Sequence, residues 1–324
     1  MFMTMLGAAA AIAAGVVPLP ASANQQDFAT WLAVLRDEAL GSGISLRTVD
    51  DALSNVQLID RVLELDRKQP EFTLTFRDYL ARVVNDLRVE KGRRLLEENR
   101  ALLAEISKRY GVQPRFIVAL WGIESDFGRL TGGYPVIDAL ATLAYDGRRS
   151  VFFRKELMNA LKIIDGGHIA ATQMTGSWAG AMGQSQFMPS SFLNFAVDHD
   201  GDGRRDIWAT LPDVFASIAN YLSKSGWKAE QTWGRAVSLP ANFDPNLVTP
   251  SVTKSLGGWN AAGVRKHDGG KLPDRDITAS VIKPGDGEDA FLIYDNYRVI
   301  MKWNRSQFFA TAVGTLADRI ADGG

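Results

Sequence analysis

The chain has 324 residues, 46% hydrophobic and 23% charged, with a formal net charge of −1; this is a globular composition with length for a large core and no basic footprint for nucleic acid. It contains no cysteine, which excludes disulfides, thiolate chemistry and cysteine-bound zinc, and no lipid-bearing cysteine is expected. Its three histidines, His168, His199 and His267, are far apart, which argues against a Ser-His-Asp triad or a histidine metal site.

Residues 1–23 read as a cleaved export signal: Met5 to Val17 is an apolar, Ala-rich run and Ala21-Ser22-Ala23 fits the small-residue cleavage pattern. No Lys or Arg precedes Arg36, so the usual basic start is missing. The run is shorter than the roughly 20 apolar residues of a membrane span and ends at Pro18 and Pro20. A periplasmic protein without a stable membrane anchor is expected. Helical spacing follows over Asp27 to Leu40, stopped by Gly41, and Ser45 caps a second helix to Leu53. Thr75 to Tyr110 reads as one long, mostly helical stretch ended by Gly111. Pro114 then opens the next helix at the first-turn position that proline tolerates. Further helices are predicted at Ile137 to Tyr145, Ser150 to Ile164 and Leu211 to Ser223.

After Trp227 the pattern changes. Val237 to Leu239, Thr278 to Ile282, Phe291 to Tyr294 and Tyr297 to Trp303 are short β-branched or aromatic runs between Gly, Pro and Asp, and read as strands. A last amphipathic helix is predicted from Ser306 to Ile320. The expected fold class is mainly α (α+β): a helical region over 24–230, a small antiparallel β subregion over 231–300, and a C-terminal helix within 301–324 packing back on the core.

Two stretches carry chemistry. In Arg115 to Gly128 (RFIVALWGIESDFG), Phe116 to Ile123 is apolar nearly all round, so the helix is predicted to be buried. Glu124 arrives near its end with no opposite charge at i−3, i−4 or i+3. A buried carboxylate must be paired, protonated or open to a cleft, and an apolar pocket raises its pKa as a general acid requires. A Glu that merely caps nearby backbone remains the alternative at this point. In Gly176 to Ser190 (GSWAGAMGQSQFMPS), Gly176, Gly180 and Gly183 permit a tight turn, Ser177, Gln184 and Gln186 offer neutral hydrogen-bonding groups suited to sugars, and Trp178 and Phe187 offer flat faces.

Glu124-Ser125 followed about 50 residues later by Gly180, Gly183, Gln186, Met188, Pro189 and Ser190 resembles the lysozyme-like superfamily. LWGIESDFG, GGYPVIDALATLAYD and GSWAGAMGQSQFMPS together resemble the membrane-bound lytic transglycosylase B family, from about Trp31 to Ile320. The resemblance implies a lysozyme-like catalytic core and cleavage, without water, of the β-1,4 bond between N-acetylmuramic acid and N-acetylglucosamine in peptidoglycan glycan strands. Glu124 would protonate the leaving oxygen, then act as base while the muramic C6 hydroxyl attacks C1, giving a 1,6-anhydro end. Glycosidases otherwise use two carboxylates, and Asp126 lies about 200° round the helix from Glu124; Asp138 or Asp146 could still fold back. Ser177, Gln186, Tyr221 and Asn304 match polar or aromatic residues of the family's cleft, with Tyr79 a further candidate. Trp303 stands where the family often has tyrosine and Phe309 where tyrosine can occur, which keeps stacking but removes hydroxyls.

Asp198-His199-Asp200-Gly201-Asp202-Gly203-Arg204-Arg205-Asp206 matches the first half of an EF-hand loop, with Ala209 where the closing Glu belongs. The family's longer loop closes with a later acid. Asp198, Asp200, Asp202, the Arg204 carbonyl and Asp213 would then hold a structural Ca²⁺; a self-capped acidic turn is the alternative. No cofactor is expected for catalysis, and a monomer is expected. The rival functions are a hydrolytic muramidase and a non-catalytic peptidoglycan-binding protein.

Overall fold

The computed structural model describes residues 24–68, 74–287 and 289–321. The proposed export signal lies outside them. The helices are α1 (Asn24–Gly41), α2 (Leu46–Leu53), α3 (Asp60–Arg67), α4 (Phe76–Val83), α5 (Asp86–Glu98), α6 (Arg100–Tyr110), α7 (Pro114–Ser125), α8 (Val136–Asp146), α9 (Ser150–Asp165), α10 (Pro189–Phe195), α11 (Leu211–Lys224), α12 (Leu256–Ala261), α13 (Asp295–Trp303) and α14 (Gln307–Ala321). The strands are β1 (Tyr134–Pro135), β2 (Thr175–Gly176), β3 (Gly234–Ser238), β4 (Lys254–Ser255), β5 (Arg265–Lys266), β6 (Thr278–Ile282) and β7 (Ala290–Ile293).

The caps explain where helices begin. Ser45 accepts from the Thr48 amide, as expected. The stretch from Thr75 to Tyr110 is three helices rather than one. Thr75 caps α4 through the Asp78 amide and Asn85 caps α5 through the Arg88 amide. At Asn99 the backbone leaves helical geometry between α5 and α6. Asparagine competes for backbone hydrogen bonds, so each interrupts a pattern that hydrophobic spacing alone carries through.

Helix α7 is the centre of the molecule. Every residue from Phe116 to Ser125 is buried, and α14, α5, α11 and α6 pack around it. Among the described residues the main sheet has the order β4-β6-β7-β3-β5, all antiparallel, and β1 pairs with β2 separately. Strand β7 is buried on both faces because it serves two cores. Phe291 and Ile293 join the helical core, while Ala290 and Leu292 join a second cluster around Trp259 and Leu256. A short apolar run without alternation is the expected signature of such a strand.

One predicted strand is a helix. Tyr297 to Trp303 forms the body of α13, where Asn296, Tyr297, Val299 and Ile300 are the buried face. That spacing is helical, and Asp295 in the first turn with Lys302 in the last favours a helix dipole. The β-branched and aromatic content misdirects the reading because a seven-residue run is too short for composition to decide. Helices α13 and α14 return the chain to the core. Trp233 is wedged against α14 at Gly314, and its indole N–H donates to Asp318 at 2.8 Å.

Candidate active site

Pro114 starts α7 at N1, and Asp126 ends it in the left-handed region at φ 50°. The apolar run between them brings Glu124 to the end of a helix that sees little water: its side chain is only 5% exposed. Burial pushes its carboxyl from 4.5 up to about 8, and a hydrogen bond from Trp303 partly opposes that rise. The Trp303 Nε1–H donates to Glu124 Oε1 at 2.7 Å. Among the described residues Glu124 makes no ion pair. The pocket therefore favours the protonated acid over the carboxylate.

The neighbouring carboxyl groups are engaged elsewhere. Asp126 is held by Arg129 at 2.6 Å, with Arg88 and Lys91 at 3.8 and 3.9 Å. Asp138 accepts from the Gln57 amide and Asp146 pairs with Arg67, so neither folds back to Glu124. A left-handed C-cap thus turns the adjacent acid away from the one beside it.

The turn at 176–190 is bolted to the end of α7. Ser125 Oγ donates to the Gln184 carbonyl at 2.7 Å and accepts from the Gly128 amide at 3.0 Å. Trp121 Nε1–H donates to Gln184 Oε1 at 2.8 Å, and Gln184 Nε2 donates to the Trp208 carbonyl at 2.9 Å. Gln184 is therefore a buried strut, and not a group offered to sugars as the sequence suggested. Gly183 adopts φ +64°, and a Cβ there would press on the Ile207 carbonyl at 2.6 Å, so the turn depends on glycine at that point. Gln186 also takes a positive φ, 49°, and its Nε2 donates to the Thr131 and Gly183 carbonyls at 2.9 and 2.8 Å. Ser177 Oγ accepts from the Ala181 amide at 3.0 Å. Bridges Gly176–Met182 and Met182–Phe187 knit the segment into a compact hairpin.

The aromatic residues gather around Trp303. Its ring lies 4.6 Å from that of Tyr221 and 5.2 Å from that of Phe187, centroid to centroid. The Tyr221 hydroxyl donates to the Lys302 carbonyl at 2.8 Å, clamping the backbone beside the indole. Sequence reasoning assigned Trp303 only a stacking face; the structure adds a donor, the indole N–H. Tyr79 is close enough for the charge of Glu124 to help burial push its phenol upward. Asn304 is buried between α13 and α14 and accepts from the Ser306 amide at 3.0 Å. Phe309 is a core residue, 3% exposed. Glu124, Trp303, Tyr221 and the 176–190 turn are thus one contiguous assembly. Trp121 is the member that sequence reasoning missed, because an aromatic inside an apolar helix gives no sign of its hydrogen bond.

Residues 27–318 match the transglycosylase SLT domain family. The chain belongs to that family. The SLT-domain chain is 30% identical over 297 residues to membrane-bound lytic murein transglycosylase B of Escherichia coli K12, spanning 86% of this chain and 79% of that one. It resembles the crystal structure of SltB3 from Pseudomonas aeruginosa at 45% identity and TM-score 0.89, covering 92% of this chain and 80% of that one. SltB3 was solved with NAG-anhNAM-pentapeptide and with NAG-NAM-pentapeptide. The E. coli lytic transglycosylase Slt35, solved in complex with calcium, is 28% identical with TM-score 0.77, covering 90% of this chain and 92% of that one. These neighbours make the architecture a lysozyme-like one, mainly α with a small sheet, as expected.

In the SLT-domain chain the acidic loop brings ligand oxygens of Asp198, Asp200 and Asp202 within 4.8 Å of one another. The Gly201 and Gly203 amides donate to Asp198, and the Arg204 amide donates to Asp202. Asp213, in the first turn of α11, is fully buried and stands outside that triad. Its oxygens accept from the His199 and Asp206 amides, both at 2.7 Å, tying the two ends of the loop together. Burial and the charges of Asp200 and Asp198 push its pKa up.

Proposed function

We propose that this chain is a peptidoglycan lytic transglycosylase in which Glu124 serves first as acid and then as base. The carrying observation is a buried carboxyl group, without an ion pair among the described residues, beside a polar turn held to the end of α7 by hydrogen bonds. Protonated at neutral pH, Glu124 gives its proton to the leaving glycosidic oxygen as the bond to C1 breaks. The carboxylate so formed takes the proton of the muramic C6 hydroxyl as that oxygen bonds to C1. The proton returns to the enzyme and no water is consumed. Hydrolysis through either stereochemical course uses a second carboxylate about 5–10 Å from the first, and the commitment of Asp126 to three cations supports a nucleophile from within the substrate.

Ser177 and Gln186 on the 176–190 turn are assigned to the cleft, together with Tyr221, Trp303, Asn304 and Tyr79. The calcium loop is assigned a structural ion. Three clustered carboxylates are the hard oxygen donors that Ca²⁺ takes, and the Arg204 carbonyl and Asp213 would complete the set. The ion would offset much of the cluster's negative charge and fix the loop before α11. The helical region over 24–230, the β subregion over 231–300 and the return segment over 301–324 are taken as the domain plan. Export to the periplasm is supported by the Ala-rich start of the chain; among the described residues no helix is long and apolar enough to cross a membrane. A monomer is proposed.

Digestion of purified sacculi followed by mass spectrometry of the released muropeptides tests the reading. Anhydro ends are expected, together with loss of activity in Glu124→Gln by at least about 100-fold, the lower range for a general acid. Reducing ends would instead mean hydrolysis, and full activity in Glu124→Gln would remove Glu124 from the chemistry.

A further inference from the structure

We propose that Trp303 fixes which oxygen of Glu124 carries the catalytic proton: the indole holds Oε1 as the acceptor, so Oε2 is discharged to the leaving group and recharged. This deepens, and rests on, the reading of Glu124 as the acid. An indole N–H is a donor only; it neither accepts a proton nor titrates in the working range. The 2.7 Å contact with Oε1 lies at the short end for an N–H···O bond. In a neutral carboxyl group the carbonyl oxygen is the better acceptor, so the bonded oxygen is the carbonyl and the hydroxyl is the other. Among the described residues no second donor to Glu124 competes for that choice.

The indole is built in. Its ring is packed by Tyr221 and Phe187, and its backbone is clamped by the Tyr221 hydroxyl on the Lys302 carbonyl. Tyr221 is thereby a positioning residue acting through Trp303. Several charged groups of the elements packed on α7 are engaged away from Glu124. Arg88 and Lys91 of α5 turn to Asp126, Asp318 and Arg319 of α14 to Arg115 and Asp86, and Asp213 of α11 to loop amides. Tyr79 of α4 is the titratable neighbour that senses Glu124, and burial keeps its phenol neutral. The same bond that selects the oxygen also stabilises the carboxylate, which the second half of the reaction needs.

Two measurements decide it. In enzyme labelled with ¹⁵N-tryptophan, the Trp303 indole resonance should move with pH around a midpoint near that of Glu124, about 8, and Glu124→Gln should abolish the movement. In Trp303→Phe, the alkaline limb of kcat/KM should rise by about one pH unit, a tenfold shift that one hydrogen bond to a charged group supports. In that variant kcat should fall about tenfold while KM stays within about twofold, and Trp303→Tyr, which restores a donor, should return part of kcat. An indole resonance flat with pH, or an unmoved limb in folded Trp303→Phe, overturns the proposal even where Glu124→Gln is inactive. An active Glu124→Gln would overturn the reading of the acid itself. If Trp303→Phe fails to fold, the wild-type indole titration alone decides.

Discussion

Replacing Glu124 by Gln should stabilise the protein, and by more as the pH rises. Burial lifts the carboxyl from 4.5 to about 8, a rise of about 3.5 units. The folded state binds this proton more tightly than the unfolded chain does. The contribution is therefore fully present below pH 4.5 and is lost as pH climbs through about 8. At about 1.4 kcal/mol per unit, the loss is about 5 kcal/mol at full extent. An amide has no proton to lose, keeps the shape of the acid and can still accept from Trp303. Wild type and Glu124→Gln should thus have similar stability near pH 4.5 and diverge by about 1.4 kcal/mol per pH unit up to pH 8. For a chain of this size that is roughly 8 °C in Tm at pH 8. Urea unfolding and calorimetry at intervals from pH 5 to 9 measure it directly. A difference independent of pH would refute the argument, because it would mean that the carboxyl ionises as readily in the fold as in water.

The acid must be protonated to work, so kcat/KM should fall as pH rises through about 8; a profile flat to pH 10 would count against Glu124 as the donor. Calcium at about 100 times its dissociation constant should add about 2.7 kcal/mol of stability, seen as a rise in Tm that Asp200→Asn abolishes. Magnesium at the same concentration should do less, since it demands a tighter octahedral cage. Gly132→Ala should lose activity and several kcal/mol of stability. Gly132 sits at φ +94° against the Gly176 carbonyl beside the β1–β2 pair, so a Cβ has nowhere to go. Near-wild-type melting and turnover would show that the 176–190 turn tolerates displacement.

Much of the site is legible in the sequence. The apolar run of α7 predicts a buried helix end, and Glu124 is buried there; that it makes no ion pair among the described residues is what the structure adds. The glycine-rich turn is recognisable because positive φ and close backbone approach restrict the residue type. The three helices between Thr75 and Tyr110 were blurred into one because Asn85 and Asn99 act through side-chain hydrogen bonds, which periodicity does not register. The roles of Gln184 and Trp303 were hidden for a related reason. A glutamine in a polar turn looks available until Trp121 and the Trp208 carbonyl are found to occupy it. The indole of Trp303 reads as a flat surface until α13 folds back over 179 residues of sequence to reach Glu124.

Sequence alone determined the local features: which helix is greasy on all sides, where it stops, which carboxyl ends it, and where the chain must turn on glycine. Those depend on neighbours within a few residues, and the backbone rules that govern them act at that range. The tertiary structure decided which way Asp126 turns, that one tryptophan addresses a single carboxyl oxygen, and that Asp213 closes its loop through backbone amides. Each of these is a meeting of groups carried on different elements, and only packing of the whole core sets such distances.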